Sequence, residues 1–260
     1  MYYPLQIPNT LNKELFPYIS YTEEIVESLQ DFVICIWQSK PLSNFQEEIS
    51  ATSVIVADGC IDLVVFYDSK KIGYSGMSKT NFNYSDDLSS TIFGARLKPG
   101  AFEQLTNVSA KKVMDTFLSL ETIDASLDID HFFSLKYDQA KEYFIGYLHQ
   151  LVNDKLPNKF VTLFDELSKN PMSTPKELYE KFNFNPLQCQ RSFKKHFGIA
   201  PQTVLSIVRF QYCLRVLTSG EATPSEILEL VAFYDQSHFI KDFKKNLGLT
   251  PFEYLRVLEE

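Results

Sequence analysis

A nine-residue segment near the C-terminal end of the chain occurs twice: FKKHFGIAP from Phe193 to Pro201, and FKKNLGLTP from Phe243 to Pro251. Phe, Lys, Lys, Gly and Pro keep identical offsets, and hydrophobic residues exchange for hydrophobic ones between them. Each copy closes a short helical pattern that follows another, shorter one. A repeated helix-turn-helix unit must bury its apolar faces against its copy or a shared scaffold, so this part of the chain reads as all-helical. Basic residues collect at the end of each second helix. Two such modules suit the reading of DNA, although helices that only pack, with solvated FKK segments, show the same periodicity.

In the first copy, Leu178 and Phe182 form the apolar face of a short helix capped by Thr174-Pro175. Asn183-Phe184-Asn185-Pro186 then makes the turn: Asn183 tolerates a left-handed backbone, Asn185 caps the next helix, and Pro186 fits its first turn. Cys189, Phe193 and Phe197, spaced by four, turn the second helix inward, while Leu187, Gln190, Arg191 and Lys194 share the opposite face. In the second copy, Ile227 and Val231 lead into the turn Ala232-Phe233-Tyr234-Asp235, with Asp235 as N-cap. Phe239 and Phe243 anchor the helix that follows. Gln236, Ser237, Ile240, Lys241 and Lys244 look outward, Ile240 being the one that also suits a core. Gln and Ser bond base edges, and Lys bonds guanine or neutralises phosphate.

With these residues in view, positions 160–260 resemble the paired helix-turn-helix domain of the AraC/XylS family of transcription regulators. DQSHFIKDFKKNLGLTPFEY (235–254) carries the resemblance most specifically, and RSFKKHFGIAPQTVL (191–205) more weakly. The resemblance implies that a first recognition helix reads DNA through Leu187, Gln190 and Arg191, and a second through Gln236, Ser237, His238 and Lys241. It also makes 201–218 a rigid connector between motifs at about 174–197 and 224–246. The family usually carries Gly where Ala232 stands; a positive φ there would make Ala cost about 1 kcal/mol.

A connector of that length, at about 1.5 Å per residue, spans roughly 27 Å. Successive major grooves on one face of a duplex lie ~34 Å apart. One chain is therefore expected to occupy two adjacent grooves, with Arg191, Lys194, Lys195, Lys241, Lys244 and Lys245 meeting phosphate or guanine. Seven helices are expected, near 160–169, 174–182, 186–197, 201–218, 224–232, 236–246 and 251–258.

The formal net charge of −8 argues against a DNA binder only until it is divided. Residues 1–154 carry 11 Lys+Arg against 21 Asp+Glu, or −10, and residues 155–260 carry 14 against 12, or +2. An acidic half joined to a mildly basic one suits a regulator whose second half meets phosphate. The alternative is a protein-interaction module on the same helical scaffold with little DNA affinity, which the modest charge and Ala232 keep open. Cys35, Cys60, Cys189 and Cys213 form no CxxC pair. No apolar run approaches the roughly 20 residues of a membrane span, and MYYPLQIPNT lacks the features of a signal peptide. These observations predict a cytoplasmic protein with reduced thiols and no membrane contact.

The first part of the chain reads mostly as strands, at 31–39, 53–68 (broken at Asp58-Gly59), 71–84 and 90–100. Helical patterns follow at 101–120 and 138–155, and a polar linker at 153–159. The fold class expected is α+β in two domains. Residues 1–155 form an antiparallel β barrel or sandwich (cupin-like) with C-terminal helices, for sensing or dimerisation. Residues 160–260 form an all-α, seven-helix double helix-turn-helix domain. ADGCIDLVVF (57–66), FGARLKPGAF (93–102) and Trp37 resemble the barrel-like sensor domain of an AraC subgroup.

A closing barrel would pair Asp62 with Arg96, either to fix strand register or to hold a polar ligand. Helix 138–155, with Tyr143, Phe144, Tyr147 and Leu151 on one face, either mediates a homodimer, as a helix in this location often does in AraC-type proteins, or packs on its own barrel. The partners expected are double-stranded DNA, RNA polymerase, a small-molecule effector and a second copy of the chain. No catalytic residue, metal or cofactor is called for: His131 and His149 lie outside the strand motifs, and Cys60 sits between two carboxylates. A nucleophile elbow and a Gly-rich phosphate loop are both absent from the sequence.

Overall fold

Ile61, Leu63 and Val65 alternate with Asp62, Val64 and Phe66, so the strand Ile61–Phe66 (β4) offers one wholly apolar face to a core. The computed structural model describes residues 1–6, 17–42, 50–77, 82–171, 173–230 and 236–259. In it β4 lies within a six-stranded sheet with Ile19–Glu24 (β1), Val33–Pro41 (β2), Lys71–Ser75 (β5), Ile92–Leu97 (β7) and Phe117–Ser119 (β8). The order is β1-β2-β7-β4-β5-β8, and every neighbouring pair is antiparallel. Ser50–Ile55 (β3) and Phe82–Asp87 (β6) form a separate antiparallel ladder. The β-rich half thus has the antiparallel architecture that its alternating pattern predicts.

Four details differ from the expectation. Residues 117–119, expected to be helical, form β8 because Gly73 lets the neighbouring backbone come close: a Cβ there would sit 2.4 Å from the Leu118 carbonyl oxygen. The stretch 71–84, placed among the strand-rich segments, contributes to two strands in different sheets. Strand β1 and the helix Ile129–Ser134 were not expected; the latter is capped by the Asp128 side chain, which accepts from the His131 amide at 2.9 Å.

Helices Ala101–Thr106 (α1), Ile129–Ser134 (α2) and Tyr137–Val152 (α3) cover the sheet. α3 buries Ala140, Phe144, Tyr147 and Leu148, and the Phe144 ring meets Phe93 of β7 at 5.4 Å between centroids. The apolar face of this helix therefore packs on its own sheet. Among the described residues no helix is long and apolar enough to cross a membrane.

The rest of the chain folds as Leu163–Lys169 (α4), Pro175–Phe182 (α5), Pro186–His196 (α6), Pro201–Ser219 (α7), Pro224–Leu230 (α8), Gln236–Leu247 (α9) and Pro251–Glu259 (α10). α7 is buried along most of its length, which is the mark of a central helix. Val204, Leu205, Ile207 and Val208 join a cluster with α4, α5 and α6, while Phe210, Cys213, Leu214, Val216 and Leu217 join one with α8, α9 and α10. The connector is thus the shared scaffold that the duplication requires. Asn185 caps α6 reciprocally with Gln188, its side chain accepting from the Gln188 amide at 2.9 Å while Gln188 accepts from the Asn185 amide at 3.0 Å. Asn185→Ala is expected to cost about 1 kcal/mol, read as a lowered urea midpoint at unchanged m-value.

The halves are stitched together by more than the chain. Val56, Ala57, Cys60 and Met77 of the β-rich half lie in the helical clusters. The buried Gln211, in the middle of α7, donates to the Ala57 carbonyl at 3.1 Å and accepts from the Leu5 amide at 2.8 Å. Residues 153–159, read as a linker, are held on α1 through Gln104, which donates to the Leu156 carbonyl at 2.7 Å and accepts from the Asn158 amide at 2.9 Å.

Candidate nucleic-acid interface

The first unit is built by local chemistry. Thr174 and Glu177 form a capping box at the start of α5, and Asn183 takes the left-handed conformation (φ 50°) that ends it. α6 then buries Cys189, Phe193 and Phe197 among Phe160, Phe164 and Phe182. That burial leaves Leu187, Arg191, Lys194 and Lys195 exposed and Gln190 half-buried on the other side. Leu187 is 60% exposed, unusual for a leucine with a packed core alongside, and it stands at the N-terminal end of this outer face.

The second unit repeats the arrangement fifty residues on, as the offset of the two segments requires. Thr223 and Glu226 cap α8, the Glu226 carboxylate accepting from the Thr223 amide at 2.8 Å. Phe239, Phe243 and Leu247 are buried at the positions equivalent to Cys189, Phe193 and Phe197. Gln236, Ser237, Lys241, Lys244 and Lys245 are exposed. Ile240 is half-buried and packs on the α7 cluster, which takes it off the reading face. The turn 231–235, with Ala232 and Asp235, and the side chain of His238 lie outside the described residues.

The recurrence of Gly in both segments has a conformational cause: Gly198 (φ 73°) and Gly248 (φ 89°) each turn the chain from the recognition helix into the next one. The two outer faces carry like charge. Among the described residues, Arg191, Lys194, Lys241, Lys244 and Lys245 enter no ion pair, whereas Lys195 is held by Glu103 of α1 at 2.8 Å.

The residues singled out as a ligand pair do meet. Asp62 stands opposite Arg96 across the hydrogen-bonded strands β4 and β7, so adjacency rather than barrel closure brings them together. Arg96 lies 3.6 Å from Asp62, 3.8 Å from Asp58 and 2.9 Å from Glu23. Burial, against the pull of Arg96, pushes the Asp62 carboxyl up to about 7. Burial acts the same way on Glu23, but there Arg96 and the hydroxyls of Tyr3 and Tyr21 outweigh it and hold the carboxyl below its ordinary value. Burial, more than the neighbouring carboxylates, raises the Cys60 thiol. Apart from this network, a cleft of about 460 Å³ opens beside α1, lined among others by Leu105, Thr106, Ile123, Asp124, Tyr147 and Lys155. No group of three or more His, Cys, Asp or Glu suited to a metal ion occurs among the described residues.

A helix-turn-helix domain family matches residues 178–256, and a domain family of unknown function matches residues 26–119. An uncharacterized HTH-type transcriptional regulator, YobQ of Bacillus subtilis (strain 168), is 27% identical over 159 residues, which is 56% of this chain and 63% of that protein. The chain thus spans slightly less than two thirds of that relative's length. Among solved structures, the C-terminal domain of the two-component response regulator yesN from Fusobacterium nucleatum is 31% identical, with 36% of this chain and 94% of that domain covered at a TM-score of 0.33. ToxT from Vibrio cholerae is 13% identical, with 94% of this chain and 100% of that one covered at a TM-score of 0.42.

Proposed function

We propose that the chain is a transcription regulator of the AraC/XylS type, a reading supported by the helix-turn-helix family match over residues 178–256, and that it binds duplex DNA sequence-specifically through α6 and α9, under control of its β-rich half. One observation carries the reading: the two helices bury equivalent residues and leave equivalent basic faces in solvent. The nineteen residues of α7 separate them, a helix about 28 Å long, which suits two neighbouring major grooves. Leu187, Gln190, Arg191, Gln236, Ser237, His238 and Lys241 are the proposed base readers. Lys194, Lys244 and Lys245 are the proposed phosphate contacts.

Control by a small molecule is the form of regulation supported by the cleft beside α1. A second copy of the chain, the other route to control, meets a surface other than the buried face of α3. The protein acts where its DNA is, in the cytoplasm, with RNA polymerase as the machinery it regulates.

The test is a mobility shift with the DNA upstream of its own coding region, followed by selection of a preferred duplex from a randomised pool. Arg191→Ala is expected to weaken binding to the selected duplex by about 1–3 kcal/mol and to relax preference at one base pair. An equal loss on every sequence would make Arg191 a phosphate contact. Absence of any binding by the parent chain would leave the protein-interaction module as the reading.

A further inference from the structure

We infer that Glu103, on α1 of the β-rich half, is a positioning residue that sets the first recognition helix, α6, for reading DNA. The geometry stands by itself; its consequence for DNA rests on the function proposed above. Glu103 is 6% exposed, and both its oxygens are engaged by the last turn of α6. One meets the Lys195 ammonium at 2.8 Å and the other the His196 Nδ1 at 2.7 Å. A carboxylate buried this far is tolerated only when hydrogen-bonded and paired, so α1 and the end of α6 are bound into one unit.

The surroundings leave little slack. The His196 ring stacks on Phe160 at 3.7 Å, nearly parallel. Ser109 donates to the Lys195 carbonyl at 3.3 Å, satisfying one of the free acceptors at the helix end. Gly198 lies against Met114, where a Cβ would come within 2.5 Å of the sulfur, and Gly100, which precedes α1, lies against the Phe160 backbone. Burial lowers the His196 pKa, Glu103 pulling the other way, and the ring holds its Nδ1 2.7 Å from the carboxylate.

The clamp takes the end of the helix and leaves its reading face alone: Leu187, Arg191 and Lys194 remain exposed. That is the signature of positioning rather than occlusion. The duplicated segments support it. Lys195 has its counterpart in Lys245, which makes no ion pair among the described residues, and His196 is replaced by Asn246, which donates to the Asp242 carbonyl of its own helix at 2.8 Å. Among the described residues, only the recognition helix of the first copy makes an ion pair with the β-rich half. Lys195, expected among the phosphate contacts, is thereby assigned to Glu103 instead. α1 also contributes Leu105 and Thr106 to the cleft, so a molecule bound there touches the same short helix that holds α6.

The test uses Glu103→Gln, Lys195→Gln and the double variant of the full chain, with two readouts. Backbone amides of 190–197 are expected to exchange on the order of tenfold faster in each single variant, as loss of a charge-assisted bond would give, while those of β4 and β7 are unchanged. Unchanged exchange at 190–197 overturns the inference. Affinity is then measured for a duplex selected by the parent chain from a randomised pool. Each single variant is expected to lose about five- to tenfold, and the double variant no more than the worse single one. A loss with Lys195→Gln alone would make Lys195 a phosphate contact and likewise overturn it. If Glu103→Gln does not fold, amide exchange at 190–197 in Lys195→Gln, whose side chain is exposed, decides in its place. A parent chain that selects no duplex ends the DNA-binding reading, while hydrogen exchange still decides the clamp.

Discussion

Replacing Arg96 by methionine is expected to destabilise the chain by about 3–5 kcal/mol, the usual result of stripping the counter-ion from buried charge. Glu23, Asp58 and Asp62 converge on this one guanidinium. Asp58 has other support, accepting from the Cys60 amide at 2.8 Å and from Gln6 at 2.7 Å, and Glu23 accepts from Tyr21 at 2.7 Å and from Tyr3. Those bonds stabilise ionised carboxylates, so losing Arg96 leaves negative charges crowded in a poorly solvated place.

Asp62→Asn should behave differently, costing under about 1 kcal/mol near neutral pH, because Asp62 is then already about half protonated. The sign of the pH dependence follows. Its carboxyl holds the proton more tightly in the folded chain (to about 7) than in the unfolded one, where 3.8 is ordinary. The stability this contributes is therefore fully present below about pH 4 and lost as pH rises through about 7. Relative to Asp62→Asn, the parent chain should lose stability across that window in urea titrations. A parallel pH dependence in the two proteins would show that Asp62 is ordinary. If an effector is found and its response survives Arg96→Met while stability falls, the network fixes strand register and does not bind the effector.

The second large effect concerns the helices. Converting Arg191, Lys194, Lys241 and Lys244 together to glutamine should lower affinity for duplex DNA by a hundredfold or more at moderate salt, at about 1 kcal/mol or more per contact. It should also flatten the slope of log affinity against log salt by about 2, since Lys194 and Lys244 are the phosphate contacts among the four and each such contact contributes about 0.9. All four side chains are exposed, so the melting transition should move little. An unchanged slope would mean that these residues are solvated surface, and that the duplication serves packing alone.

The helical half was readable because its boundaries are written in short-range chemistry. Thr174-Pro175-Lys176-Glu177, Thr223-Pro224-Ser225-Glu226 and Thr250-Pro251-Phe252-Glu253 are one signature used three times: a capping box with proline at the first helical position. In each, the glutamate side chain accepts from the threonine amide. Cys189, Phe193 and Phe197 at spacing four, with Asn183 and Asn185 at the turn, define α6 and its inner face from sequence alone. The faces of β4 and β7 were readable for the same kind of reason, since a period of two sets Asp62 and Arg96 apart from their apolar neighbours.

What escaped is what depends on distant contacts. β8 is three residues long and exists because Gly73 lies beside it; the pattern of AFEQLTNVSAKKVMDTFLSL contains no such information. The burial of Tyr2, whose hydroxyl donates to the Asp58 carbonyl at 2.7 Å, is not visible in MYYPLQ. Glu103 is the instructive case. In sequence it is a helix residue followed by Gln104, with nothing to mark it, and Lys195 looked like one more phosphate contact. The one available signal was the exchange of His196 for Asn246 between otherwise matching segments.

Hydroxyl-radical footprinting of the parent chain on its selected duplex tests the central claim most directly. Two helices presented by one buried connector should protect two short stretches of backbone centred about 10–10.5 base pairs apart, on one face of the duplex. Protection of a single stretch, or of two stretches on opposite faces, would contradict the claim that α6 and α9 read neighbouring grooves together.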